Sequence, residues 1–184
     1  MSVAADALSI ARGAAALALP WTLTHGSWEP LALVVAAAAA DFSDGRLARR
    51  AGTATAHGAV LDNVADVTFV LAGTITGAAL GRVPRMVPAA IAVAVAAYVI
   101  ASVRRSADHA APRLARSRLG HAAGVSNYAI VMLIAGSVAL PGAIWDIVLP
   151  ASSLVVVVIN LAAVGARLLG AVTTPARAPR GAGT

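Results

Sequence analysis

Four aspartates fall in two close pairs, Asp41 with Asp44 and Asp62 with Asp66, in a chain that is 59% hydrophobic. Spacings of three and four put each pair on one face of a helix. A charged side chain at membrane depth costs about 3 kcal/mol or more, so four of them require a compensating role. A short loop between the two helices brings the pairs together, and the carboxylates then repel one another unless cations neutralise them. The chain has no cysteine. A metal would therefore have only oxygen or imidazole ligands, and the carboxylates favour a hard ion such as Mg²⁺ or Mn²⁺. Gly45 and Gly58 leave room for a bulky group, Gly58 sharing a stripe with Asp62 and Asp66, and Arg49 offers a guanidinium to a phosphate oxygen. The set describes a metal-assisted phosphoryl-transfer site. Its rival is a cation or proton transporter, in which membrane carboxylates bind ions without chemistry.

The elements that position these groups are membrane spans. Only 12% of the 184 residues are charged, against roughly a quarter in soluble domains, and the mean hydropathy is +0.82. Six apolar runs, at 5–24, 30–49, 58–81, 88–103, 120–140 and 144–169, each approach the roughly 20 residues that cross a bilayer. The expected fold is an all-α integral membrane protein of six transmembrane helices, one domain over 1–172 followed by a disordered tail at 173–184, rich in Pro, Arg and Gly. All 14 basic residues are arginine, giving a net charge of +6. High hydropathy and 4% aromatics assign that charge to lipid and topology rather than to nucleic acid. With the N-terminus inside, twelve arginines face the cytoplasm and only Arg82 and Arg85 face outward. Both termini and the aspartates of a multi-pass cell-membrane protein then lie on the cytoplasmic side. The competing reading of the first segment is a cleaved signal peptide.

Gly73, Gly77 and Gly81 form a small-residue stripe that suits close helix packing, within the chain or at a dimer seam. Five arginines between 104 and 118 suit anionic headgroups, or, for Arg104, Arg105 and Arg118, a phosphorylated acceptor. His25, His57, His109 and His121 lack paired ligand spacing and read as loop or interface residues.

The run Asp41-Phe-Ser-Asp44-Gly45-Arg-Leu-Ala48-Arg49, eight residues, then Gly58-Ala-Val-Leu-Asp62-Asn-Val-Ala-Asp66, resembles the signature of the CDP-alcohol phosphatidyltransferase family at all its fixed positions. The resemblance implies six membrane helices, two divalent cations held by Asp41, Asp44, Asp62 and Asp66, and a homodimer. It also implies that Asp66, as general base, takes a proton from an acceptor hydroxyl, which attacks CDP-diacylglycerol and expels CMP. Gly45, Ala48, Arg49, Thr55 and Gly58 would line the CDP-lipid site. Asp6-Ala-Leu-Ser9-Ile-Ala-Arg12 is similar to the family's N-x-x-T-x-x-R pattern, with Asp for Asn and Ser for Thr, which adds Ser9 to that site. The segment from Arg118 to Asn127 is similar to the opening of span five in phosphatidylglycerophosphate synthases, with His121 and Ala123 at its two lysine positions. Glycerol 3-phosphate is the acceptor expected; inositol phosphate or another alcohol is the alternative, and an inactive relative that keeps the metal site is a further one.

Overall fold

The computed structural model describes the backbone of residues 3–51, 56–107 and 118–173, and side chains within 11–40, 60, 62–103 and 118–169. Among the described residues six helices follow one another: α1 (Val3–His25), α2 (Glu29–Ala51), α3 (Ala56–Ala79), α4 (Met86–Ala107), α5 (Arg118–Ala139) and α6 (Trp145–Thr173). Their ends fall within a few residues of the hydropathy runs, because in a chain so apolar the polar and Gly/Pro breaks are also the places where the backbone turns. Among the described residues there is no strand. Among the described residues, three stretches, Met86–Val103, Arg118–Ala139 and Trp145–Leu169, are long and apolar enough to cross a membrane by length and composition. The expected tail lies outside the described residues except for Thr173, which ends α6.

The bundle is arranged for lipid. Leu17, Val93, Ile100, Leu154, Val158 and Leu168 point outward and are exposed, whereas Arg12, Thr74, Asn127, Ser137, Ser153 and Asn160 are buried. Water would favour the reverse; in hydrocarbon, apolar side chains face the solvent and polar groups find partners inside. Asn160 Nδ2 donates to Asn127 Oδ1 at 2.8 Å and to the Val156 carbonyl at 2.9 Å, tying α6 to α5. The three tryptophans, Trp21, Trp28 and Trp145, sit at the end of α1, just before α2 and at the start of α6. That end carries the aromatic residues typical of a membrane–water boundary.

Helices α1 and α5 each pack against both α2 and α3, while α4 and α6 pack on each other and flank the group through α3 and α5. Contacts fix directions: α1, α3 and α5 run parallel, since Arg12 and Tyr128 meet Asp66 near one end while Leu19 meets Gly73 and Ile134 meets Gly77 further along. The glycines explain how closely these helices approach. A Cβ at Gly73 would fall 2.8 Å from Val131 Cγ1, and one at Gly77 would fall 2.7 Å from Ile134 Cδ1. The small-residue stripe thus serves packing within the chain at these two positions. Gly81 has another task. It adopts φ +69°, and the bonds Gly81 N→Ala78 O (3.2 Å) and Arg82 N→Gly77 O (2.8 Å) close α3 in a Schellman turn that favours glycine.

Replacing Gly77 by Leu forces Ile134 out of its position and is expected to cost about 1–3 kcal/mol by overpacking. Gly165→Leu, where a Cβ meets open space, serves as the control and should be near neutral. Unfolding midpoints of the two variants in the same detergent check this.

Candidate active site

The predicted residues cluster at the end of the bundle away from the tryptophans. Asp41, Asp44, Gly45, Ala48 and Arg49 lie in the C-terminal half of α2, and Gly58, Asp62 and Asp66 in the first three turns of α3. Thr55 lies outside the described residues. Ser9 is on α1, Arg104 and Arg105 are in the last turn of α4, and Arg118, exposed, begins α5. The side chains of Asp41, Asp44, Ala48, Arg49, Ser9, Arg104 and Arg105, and the surroundings of Gly45 and Gly58, lie outside the described residues.

Asp62 and Asp66 show how the site is held. They are one turn apart, so their carboxylates stack along one face of α3. Arg12 of α1 reaches that face. Its Nη1 donates to Asp62 Oδ1 at 2.5 Å and to Asp66 Oδ1 at 2.7 Å. The Arg12 side chain is 2% exposed, against 46% for Asp62 and 26% for Asp66. The arginine is therefore the buried floor of the cluster and Asp62 its open edge. Tyr128 of α5 closes the third side, its hydroxyl donating to Asp66 Oδ1 at 2.8 Å. The Tyr128 ring lies nearly parallel to that of the fully buried Phe69, with centroids 5.9 Å apart, which fixes the direction of the hydroxyl.

The contacts of Arg12 and of Tyr128 with Asp66 put the three residues at one depth in the bundle. Tyr128 escapes sequence reasoning, because no motif marks it. The available signal is that it is one of two tyrosines in the chain. Arg12 is visible in the sequence only as the last member of the Asp6–Ser9–Arg12 pattern; the structure joins it to the aspartates.

Oxygen donors on one helical face, one of them about half exposed, suit a hard divalent cation. Among the described residues, Asp62 and Asp66 are the pair that would contribute.

The Tyr128 hydroxyl can be removed without disturbing the ring stack. Tyr128→Phe is expected to cost about 1.5–3 kcal/mol, the range for a hydrogen bond to a charged group. Tyr128→Leu, which also loses the stack on Phe69, should cost more. Denaturation of both variants against the unaltered chain tests the order.

A family model described as CDP-alcohol phosphatidyltransferase matches residues 2–164. A comparison with curated proteins finds no match.

Proposed function

The chain belongs to the CDP-alcohol phosphatidyltransferase family, helical membrane enzymes that transfer a phosphatidyl group from a CDP-alcohol to an acceptor, and from that premise we propose a specific reaction and a role for each residue of the site. The donor is CDP-diacylglycerol, the acceptor glycerol 3-phosphate, and the products are a phosphatidyl-linked phosphate ester and CMP, a step of phospholipid biosynthesis. The observation that carries this reading is the grip of two other helices on Asp66, the last aspartate of the signature. A general base must be held in a fixed orientation toward its proton.

In this reading Asp66 takes the proton of the acceptor hydroxyl. The oxygen so freed forms a bond to the lipid-linked phosphorus, and the bond from that phosphorus to the CMP oxygen breaks. Tyr128 sets the orientation of the Asp66 carboxylate, and Arg12 holds the same carboxylate when no cation is bound. Arg49 binds a phosphate oxygen of the nucleotide, and Gly45, Ala48, Thr55, Gly58 and Ser9 line the CDP-lipid site. Arg104, Arg105 and Arg118 receive the acceptor's phosphate. Asp41, Asp44, Asp62 and Asp66 would hold two divalent cations, Mg²⁺ or Mn²⁺, which when bound offset charge on the pyrophosphate and the leaving group. A homodimer accompanies the reading by family resemblance. Inositol phosphate or another alcohol remains the alternative acceptor. Cation transport has no support here beyond the carboxylates themselves.

CMP release from CDP-diacylglycerol, measured over a panel of alcohols with the lipid product weighed by mass spectrometry, identifies the acceptor. Glycerol 3-phosphate should give the highest kcat/KM, and EDTA should abolish release. Asp66→Asn is expected to lower kcat by at least about a hundredfold, the low end of what a general base contributes, with nucleotide binding largely kept. Equal loss of binding and turnover would make Asp66 chiefly a ligand.

The arginine distribution supports a cell-membrane protein with both termini and the site facing the cytoplasm. Because the chain has no cysteine, single introduced thiols report sidedness without background. A membrane-impermeant maleimide added outside should label Ser27→Cys and spare Thr184→Cys; the opposite pattern reverses the orientation.

A further inference from the structure

Arg12 is the most deeply buried charge described in the chain, and one of its nitrogens bridges two carboxylates of the signature. A guanidinium so buried is stable only where carboxylates surround it, and two carboxylates one turn apart need a cation between them. Each side of the contact therefore answers the other's electrostatic need. The carboxylates concerned are also those that suit a divalent cation. Whatever positive charge already lies against them reduces the negative potential that an incoming cation meets.

We infer that Arg12 is a built-in counter-ion competing with the divalent cation for Asp62 and Asp66: it stabilises the pair without metal and, by the same contacts, weakens metal binding. The inference rests on the metal-dependent reading of the site and assigns to α1 a task that the signature, confined to α2 and α3, does not contain. Two features of the geometry support competition over simple scaffolding. Arg12 uses Nη1 for both contacts and takes Oδ1 of each aspartate, so it holds one oxygen of each carboxylate on which a cation would also draw. It also approaches from the buried side while Asp62 is about half exposed. A cation can thus enter from the open edge, draw the Asp62 carboxylate away from the floor and displace the Arg12 contact with Asp66. Tyr128, an uncharged donor on Asp66 Oδ1, holds that side chain in place as the positive partner changes.

The test is metal binding by the full chain in lipid nanodiscs, read by calorimetry and by the electron paramagnetic resonance signal of free Mn²⁺, with melting in EDTA and in Mn²⁺. Arg12→Gln, which keeps length and loses charge, should melt lower than the unaltered chain in EDTA, gain more from Mn²⁺, and bind Mn²⁺ with a Kd lower by on the order of tenfold, the scale on which one charge at hydrogen-bond range shifts a neighbouring ionic equilibrium. Arg12→Lys should restore both quantities toward their original values. If Arg12→Gln fails to fold in EDTA, Mn²⁺ should recover its helicity, since the ion then supplies the missing charge. Unchanged or weaker Mn²⁺ binding by a folded Arg12→Gln, a misfolded variant that Mn²⁺ does not recover, or no Mn²⁺ binding by any of the three proteins overturns the inference. CMP release is scored separately. A chain that binds Mn²⁺ as expected here but releases no CMP with any acceptor refutes the proposed reaction and leaves the competition standing.

Discussion

Everything in the arrangement of this bundle depends on how one buried positive charge is satisfied. Arg12 sits between α1 and α3 with its guanidinium against two carboxylates, in a medium where an unpartnered charge would cost several times the stability of an ordinary contact. Helix α1 cannot rotate or slide without breaking that contact. Its apolar positions Leu19 and Leu23 are then presented to the core in a fixed register. Tyr128 carries the constraint across to α5 through Asp66, so the polar cluster orders three helices before any apolar packing is considered.

The apolar packing adds what a charge cluster cannot, namely close approach. Hydrocarbon offers no hydrophobic drive between helices, so contact area and hydrogen bonds must hold them. Gly73 and Gly77 let Leu19, Val131 and Ile134 reach the α3 backbone, and the Asn127–Asn160 bond secures α6. Arg167 of α6 lies 5.4 Å from the centre of the Tyr98 ring of α4, a second contact of a cation with a partner inside the flanking pair. The division is consistent: α1, α2, α3 and α5 surround the signature, and α4 with α6 buttress them from outside.

The sequence displays the parts of this design that repeat with a helical period or interrupt hydropathy. Six helices are legible because Gly26, Pro84 and Pro141 fall in breaks between apolar runs, and Asp62 and Asp66 are legible because charges are rare against such a background. Arg12 is half legible: its place in a pattern can be seen, its partners cannot, since they lie fifty residues away and depend on α1 and α3 being parallel neighbours. Tyr128 is less legible still, marked only by the rarity of tyrosine in the chain. Nothing in the local spacing of α5 tells which of its faces meets α3, and Asn127, the adjacent residue, points instead to α6. Gly81 matches Gly73 and Gly77 in spacing yet serves a different purpose, because a period of four continues past the residue where the helix stops.

The fixed spacings of the signature have a physical meaning in these contacts. Asp62 and Asp66 can share one nitrogen of Arg12 only because four residues carry the chain through slightly more than one turn, placing one carboxylate above the other. A spacing of three would still leave them neighbours on the helix surface, but at a different angle to the Arg12 side chain; a spacing of five would put them on different faces. An insertion between Gly58 and Asp62 would rotate both aspartates by about 100° relative to the preceding turn at 3.6 residues per turn, away from α1 and Tyr128 together. The signature therefore measures helical phase as much as it counts carboxylates. Phase matters because the partners of the aspartates are delivered by helices whose own positions are set at a distance, by glycines two and three turns further along α3.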